Sequence, residues 1–296
     1  MSMPFTRRDF LRSAVGTAAA AAFCPDLLRA QENQAFLLSL SELSLSRLLE
    51  SQQIEHLDFV GVAKSDFGLT AVEYASKFFK TKDEKYLDEM NARAADHGVR
   101  QLLIRVENEG LLGDADATRR AEAIKNHQSW IDAAKLLGCH SIVVTAAGTG
   151  TPEEQRARTS EGLAALCEYA EQQKVNVLIN NQVAPAKDPA WLLAVLKQVN
   201  RSTCGVYLSF DGVSPDGPID KIAALVPKAR GVCATAMDFD QQGNEKNRDF
   251  FRVMKVVLEA GYRGYVSIEY RGSQLPEREG IAATKALLER VRSQRA

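Results

Sequence analysis

The sequence predicts a single-domain α/β protein with the fold of a (β/α)8 barrel, and three observations support this prediction. From residue 36 onward, short apolar runs alternate with amphipathic segments, and eight of the runs have the length of strands. Eight βα pairs need about 250 residues, which fits the chain after its first thirty residues. The alternative, a doubly wound open sheet, is less favoured because no Gly-x-Gly-x-x-Gly follows the first run.

Each element has its own local signals. The predicted strands are Phe36–Leu40, Ala71–Tyr74, Gln101–Val106, Ser141–Thr145, Val175–Ile179, Gly205–Phe210, Gly231–Ala236 and Tyr265–Glu269. Between them, Asp188-Pro189 predicts the cap and first turn of one helix, and Gly98, Gly138 and Gly261 each follow an amphipathic segment. Such a barrel keeps its chemistry at the carboxyl ends of the strands, so residues at those ends are the candidates for a site.

The first thirty residues predict an export signal. Thr6-Arg-Arg-Asp-Phe-Leu-Arg12 matches the twin-arginine motif, and Ser13–Phe23 form an Ala-rich apolar region too short to span a bilayer. We expect the twin-arginine export machinery to recognise residues 1–30, with cleavage after Ala30. Residues 31–296 then form a periplasmic or secreted barrel, and no later apolar stretch is long enough to predict a transmembrane anchor in the mature form.

Composition narrows the classes of partner. The chain carries a net charge of −1, and removing the four arginines and two aspartates of residues 1–30 makes it −3. A mildly acidic body does not predict a nucleic-acid-binding protein. The four cysteines after residue 30 show no CxxC spacing, so buried free thiols are predicted, with disulfides left open for an oxidising compartment.

Six segments, in order over nearly the whole mature chain, carry a resemblance to a known family. They are Ala71-Val-Glu-Tyr74, Gly110-Leu-Leu-Gly-Asp114, Asn126-His-Gln-Ser-Trp130, Leu137-Gly-Cys-His-Ser-Ile142, Asp238-Phe-Asp-Gln-Gln-Gly-Asn-Glu245 and Gly261-Tyr-Arg-Gly-Tyr-Val-Ser-Ile-Glu-Tyr270. These segments resemble the sugar phosphate isomerase/epimerase family of xylose isomerase-like TIM barrels. The resemblance implies an enzyme that isomerises or epimerises a sugar or sugar derivative by moving a proton between adjacent carbons.

The resemblance also implies one divalent ion, Mn2+ or Mg2+. Members of the family hold it with a Glu ending strand 5, an Asp ending strand 6, a His on strand 7 and a Glu ending strand 8. In this sequence Glu269 ends strand 8. On strand 5, however, Asn180 and Gln182 stand where the family commonly shows Glu and His.

Strands 6 and 7 depart from the family pattern as well. Ser209 stands at the strand 6 ligand position, unless a shift of one residue brings Asp211 there, and strand 7 offers Cys233 or Met237. Neutral groups replace only part of the charge lost with carboxylates. We therefore expect a largely degenerate metal site, with Glu269 and Asp211 as its ligands and weak binding of Mn2+ or Mg2+.

The remaining candidates for contacts with substrate lie at or just after strand ends. They are Glu73, Glu107, Asn180, Gln182, Ser209 and Arg271. The amides and the serine hydroxyl supply neutral donors and acceptors for sugar hydroxyls. Glu73 and Glu107 either face the pocket or lie in solvated loops, and Arg271 either meets an anionic substrate or pairs with a neighbouring carboxylate.

Two functions follow from these residues. The first is an exported sugar isomerase or epimerase in which Glu269 is the catalytic acid/base. The second is a non-catalytic barrel that binds a small-molecule carbohydrate or a partner. The family resemblance favours the enzyme, whereas the loss of the expected metal ligands favours the binding protein.

Overall fold

Eight parallel strands follow one another around a closed barrel in the computed structural model, which describes residues 34–213 and 219–294. They are β1 (Leu37–Ser41), β2 (Ala71–Ala75), β3 (Arg100–Arg105), β4 (Ser141–Thr145), β5 (Asn176–Asn180), β6 (Cys204–Ser209), β7 (Ala229–Ala236) and β8 (Tyr265–Tyr270). The barrel closes where β1 pairs with β8, with Leu40 opposite Ile268. The predicted (β/α)8 barrel is confirmed, and each strand begins and ends within two residues of its predicted bounds. The proposed export segment, residues 1–30, lies outside the described residues.

Helices cover the outside of the barrel. They are α1 (Ser46–Glu50), α2 (Phe59–Phe67), α3 (Glu84–Asp96), α4 (Ala117–Leu136), α5 (Pro152–Gln173), α6 (Pro189–Val199), α7 (Phe250–Glu259) and α8 (Glu277–Ser293). The Asp188 side chain accepts a hydrogen bond from Ala190 N at 3.0 Å and caps α6, as predicted. Gly261, just beyond α7, has a φ of 95°, a conformation that glycine adopts without strain. None of the helices in the described ranges is both long and apolar enough to span a membrane.

Apolar side chains fill two layers. The larger layer lies between the strands and the helices and includes Ile104, Ile142 and Ile268. A smaller cluster fills the barrel itself and consists of Ala71, Leu102, Leu103, Val143, Leu178, Tyr207 and Cys233. Above this cluster, polar side chains including Ser41, Asn180, Ser209 and Glu269 lie at the carboxyl ends of the strands, where such a barrel keeps its chemistry. We call that region the mouth of the barrel.

A register shift on β3 changes which residues face the interior. Val72 of β2 is opposite Gln101, but the next residue, Glu73, is opposite Leu103, so Leu102 is one extra residue on β3. Both Leu102 and Leu103 consequently belong to the interior cluster, while Ile104 packs toward the helices. The residue after it, Arg105, therefore points into the barrel.

The four cysteines after residue 30 are free and buried. Each behaves as a small apolar side chain within the layers described above. The prediction of buried free thiols is therefore confirmed.

Candidate functional site

The mouth is organised around an ion pair between β3 and β8. Arg105 Nη1 donates to Glu269 Oε2, and Ser41 Oγ donates to the same oxygen at 2.9 Å. The Glu269 side chain is fully buried and that of Arg105 is 6% exposed, so the pair is shielded from water. Glu269, predicted as the catalytic carboxylate, thus lies at the end of β8 as expected, but a guanidinium already neutralises it.

Opposing effects set the pKa values of this pair. Burial alone raises the pKa of Glu269, but attraction to Arg105 and Arg271, together with hydrogen bonds from Ser41 and Arg105, outweighs burial and lowers it. Burial likewise lowers the pKa of Arg105, but attraction to Glu269 and to other acidic groups, including Glu107, outweighs burial and raises it. Both groups are therefore charged at neutral pH.

The predicted amide and hydroxyl residues of β5 and β6 form a network that supports Arg105. Gln182 Oε1 accepts from Arg105 Nη2 at 3.0 Å and from Asn180 Nδ2 at 2.8 Å, while Gln182 Nε2 donates to Ser209 Oγ at 2.8 Å. Ser209 Oγ lies 3.1 Å from Thr235 Oγ1, and both side chains are fully buried. Ser209 therefore positions Gln182, and Gln182 is the member of the network nearest to solvent.

Asp211 and Arg271 lie together beside this network. Asp211 Oδ1 accepts from Arg248 Nη2 at 2.7 Å, and Asp211 Oδ2 accepts from Arg271 Nη1 at 3.3 Å. Arg271 Nε is also 3.8 Å from Glu269 Oε1, so its guanidinium lies between the two carboxylates. Of the two alternatives that the sequence leaves open for Arg271, the structure shows pairing with carboxylates.

Glu73 lies deeper, inside the barrel. Its carboxylate accepts from Ser39 Oγ at 3.0 Å and from Tyr207 Oη at 2.5 Å. Burial raises the pKa of Glu73 to about 7, because it outweighs the hydrogen bonds from Tyr207, Ser39 and Ser267 and the attraction of Arg105. Glu73 is 1% exposed, so it faces the interior but reaches the mouth only through its neighbours.

Glu107 lies two residues beyond β3 and is partly buried. Its backbone N donates to Ser76 Oγ at 2.9 Å, which fixes the loop that follows the strand. The structure therefore places Glu107 at the rim of the mouth, close enough to influence Arg105 electrostatically.

The side chains present at the mouth do not fit a Mn2+ or Mg2+ site. These hard cations take several carboxylate and carbonyl oxygens. Here the guanidiniums of Arg105, Arg248 and Arg271 bind the two predicted ligands, Glu269 and Asp211. Across residues 34–213 and 219–294, no group of three or more His, Cys, Asp or Glu side chains is arranged to hold a metal ion. The positive charge at the mouth is supplied by arginine.

Three residues of this site are not predicted from the sequence: Arg105, Tyr207 and Arg248. The sequence predicts that Arg105 lies on a strand, but it is the register shift at Leu102 that turns its side chain inward. Tyr207 and Glu73 are 134 residues apart, so nothing local links them. The available signal in the sequence is an arginine at the carboxyl end of a buried strand, because a guanidinium is rarely buried without a partner.

Comparisons with known proteins agree with this architecture. A family model described as a xylose isomerase-like TIM barrel matches residues 62–292. A xylose isomerase domain protein from Planctomyces limnophilus is 16% identical, with a TM-score of 0.66 over 88% of this chain and 97% of its own. An L-ribulose 3-epimerase is 15% identical, with a TM-score of 0.70 over 88% of this chain and 95% of its own. A D-psicose 3-epimerase from Clostridium cellulolyticum H10, solved with D-tagatose, is 14% identical, with a TM-score of 0.70 over 87% and 99%. At these identities the likeness establishes the fold. No curated protein matches the chain significantly.

Proposed function

The chain belongs to the xylose isomerase-like TIM barrel family, and we propose that it binds a sugar or sugar derivative in the mouth of the barrel without a divalent ion. The observation that carries this proposal is the buried Arg105–Glu269 ion pair. In this pair a guanidinium, and not a divalent ion, neutralises the carboxylate at the end of β8. The printed names of the structural neighbours, which include sugar epimerases, support a carbohydrate as the ligand class.

The free hydrogen-bonding capacity at the mouth suits a polyol. Glu269 Oε1 is buried and has no hydrogen-bond donor among the described residues. An ionised carboxylate oxygen without a donor is unfavourable when buried, and a ligand hydroxyl would satisfy it. Gln182 and Arg271 are partly exposed beside it and present N–H donors to the same region.

The proposal is tested by calorimetric titration of a panel of aldoses and ketoses into protein treated with a chelator. We expect at least one sugar to bind, with an affinity that added Mn2+ leaves unchanged. Glu269→Gln should retain binding within about tenfold, because one acceptor oxygen remains in place. Glu279→Gln, an exposed glutamate on α8, is the matched control. Binding that requires the metal, or no binding across the panel, would contradict the proposal.

A second candidate is proton transfer on the bound sugar, and one observation favours it. The pKa of Glu269 is lowered while that of Glu73 is raised to about 7, so one carboxylate stays ionised and the other carries a proton over part of the neutral range. Carboxylates whose pKa values are pushed apart in this way are suited to acid/base work. In this hypothesis Glu269 is the acid/base next to the sugar, and Glu73 acts through its neighbours.

Deuterium exchange distinguishes catalysis from binding alone. Each sugar that binds is incubated with the protein in D2O, and exchange of its carbon-bound hydrogens is followed by NMR. Glu269→Gln should lower the exchange rate by roughly 10²-fold or more, since an amide cannot accept the proton. If no bound sugar exchanges a hydrogen, the protein binds without catalysis.

We also propose that residues 1–30 direct export through the twin-arginine machinery, which would place the barrel in the periplasm or outside the cell. The support is the Arg7-Arg8 pair within the motif and the apolar segment after it. A carbohydrate-binding barrel in that compartment would meet sugars taken from the surroundings.

A further inference from the structure

Asn181 is a buried amide that joins the ends of β5 and β6. The backbone pairing of these two strands ends with Asn180 opposite Tyr207. One residue further on, Asn181 Oδ1 accepts from the backbone N of Ser209 at 2.7 Å, and Asn181 Nδ2 donates to the backbone O of Ser209 at 3.2 Å. The side chain thus makes both hydrogen bonds of a peptide group to a single residue. Asn181 is 2% exposed and Ser209 is fully buried, so these bonds fix Ser209 relative to β5 without competition from water.

The turn that follows β6 packs directly on this amide. The turn, Phe210–Gly212, begins next to Ser209. Gly212 lies so close to Asn181 that a methyl group at its Cβ position would collide with Asn181 Nδ2 and with the Asn181 backbone O. Only glycine therefore allows this approach. Asp211, the middle residue of the turn, is consequently held at a fixed distance from the end of β5.

Ser209 transmits its position to one side of Glu269. The Ser209 hydroxyl accepts from Gln182 Nε2 at 2.8 Å, and Gln182 Oε1 accepts from Arg105 Nη2 at 3.0 Å. Arg105 in turn binds Glu269 Oε2 through Nη1. A shift of Ser209 would therefore pass, through two hydrogen bonds, to the guanidinium that holds this carboxylate.

The turn acts on the other side of Glu269. Asp211 N donates to Ser209 Oγ at 3.2 Å, and Asp211 Oδ2 accepts from Arg271 Nη1 at 3.3 Å. Arg271 Nε lies 3.8 Å from Glu269 Oε1, the oxygen that has no hydrogen-bond donor in the described part of the chain. The positions of both guanidiniums that flank Glu269 thus depend on the residue that Asn181 fixes.

We infer that Asn181 is a positioning residue of the proposed carbohydrate site: it sets the orientation of Glu269 Oε1 toward a sugar hydroxyl without touching the sugar. The inference rests on the proposed function and adds a residue on which that site depends. Hydrogen bonds weaken steeply as their angle departs from linearity, and a binding group must be held within about 0.5 Å of its productive position. Removal of the amide frees Ser209, and the two guanidiniums beside Glu269 then shift with it.

The test is calorimetric titration of D-glucose, D-xylose, D-fructose and D-tagatose into the full-length protein. For each sugar that binds, Asn181→Ala should lower the affinity roughly tenfold, about the contribution of one hydrogen bond from a sugar hydroxyl to Glu269 Oε1. Asn176→Ala is the matched control and should leave the affinity unchanged. Asn176 begins the same strand at the opposite end of the barrel, and its side chain also bonds to backbone, donating to His140 O at 2.7 Å.

Gly212→Ala perturbs the same junction without removing any hydrogen-bonding group. Its methyl group should displace the turn from Asn181, so we expect the affinity to fall as it does in Asn181→Ala. This variant keeps the inference testable if Asn181→Ala does not fold. A folded Gly212→Ala protein that binds sugar as tightly as the wild type would overturn the inference.

Asn181→Asp separates positioning from a general loss of stability. Burial raises the pKa of an introduced carboxyl, and its protonated form can make both bonds to Ser209, whereas the ionised form only accepts. The affinity of this variant relative to the wild type should therefore recover as the pH falls, from roughly a tenth at pH 8 toward equality at pH 5. A reduced affinity whose ratio to the wild type is the same at both pH values would contradict the positioning role.

The outcomes distinguish this inference from the proposed function. Binding to the wild type with an affinity that stays within about threefold in folded Asn181→Ala overturns the positioning role and leaves the proposed function standing. An equal loss of affinity in Asn176→Ala has the same consequence. No binding of any aldose or ketose of the panel to the wild type overturns both.

Discussion

Replacing Arg105 with methionine should destabilise the protein strongly at neutral pH. Methionine keeps the apolar stem but removes the guanidinium. Among the residues that the structure describes, Glu269 then remains fully buried with Ser41 as its one hydrogen-bond donor and Arg271 Nε at 3.8 Å. Breaking a buried ion pair in this way costs roughly 3–5 kcal/mol. Because Ser41 and Arg271 remain, we expect a loss near the lower end, about 3 kcal/mol.

The pH dependence follows from the sign of the pKa shift. In the wild type the pKa of Glu269 is lowered, so its stabilising contribution is present above the ordinary glutamate pKa and is lost as the pH falls through the lowered value. In Arg105→Met, burial without the guanidinium raises that pKa above its ordinary value. The variant therefore loses stability as the pH rises, and its deficit relative to the wild type should be larger at pH 7 than at pH 5.

Urea denaturation at both pH values measures these differences, and a double-mutant cycle isolates the pair. Arg105→Met with Glu269→Gln removes both charges and should recover much of the loss, giving a coupling energy of about 1–3 kcal/mol. Arg100→Met, at the exposed start of β3, is the control and should change stability by less than about 0.5 kcal/mol. A loss below about 1 kcal/mol in Arg105→Met, or simple additivity of the two changes, would refute the reasoning.

Three further predictions concern other parts of the chain. Millimolar Mn2+ or Mg2+ should raise the melting temperature by less than about 1 °C, because stabilisation depends on the ligand concentration relative to the dissociation constant. A shift of several degrees at micromolar metal would contradict the conclusion that the side chains at the mouth do not fit these ions. Glu73 has a pKa of about 7, above its ordinary value, so the wild type should lose stability as the pH rises toward 7, by on the order of a few kcal/mol. Denaturation curves at pH 5 and pH 8 should show that Glu73→Gln lacks that loss of stability. If the free energy of unfolding changes equally with pH in the two proteins, burial does not raise the pKa of Glu73. Replacing Arg7 and Arg8 with lysine should retain the precursor in the cytoplasm in a fractionation assay, whereas Arg29→Lys should not; normal export of the double variant would rule out the twin-arginine signal.

The sequence predicts the scaffold well because strand and helix signals are local. Alternation of apolar runs, the cap at Asp188 and the glycine after α7 each depend on a few neighbouring residues, and all of them are found in the structure. The position of Glu269 is predictable for the same reason, since it ends an apolar strand in a barrel.

The partners of these residues are not predictable from local signals. Asp211 is an apparent metal ligand when only its own strand is considered, but its arginines come from positions 37 and 60 residues later in the chain. The amide side chain of Gln182 suggests a sugar contact, yet it binds Arg105, which lies 77 residues earlier. Long-range pairing of charges, and not the residue types at strand ends, determines the character of the mouth.

The extra residue on β3 bears on how this chain is aligned with its relatives. Arg105 enters the barrel because Leu102 interrupts the alternation of the strand, so a deletion of one residue before it would turn the arginine toward the helices. Glu269 would then lose its guanidinium although every side chain at the mouth kept its identity. Whether β3 supplies a cation to the mouth therefore depends on the number of residues in the strand as well as on their identity. An arginine aligned with Arg105 marks the same site only in relatives that also have the extra residue on β3.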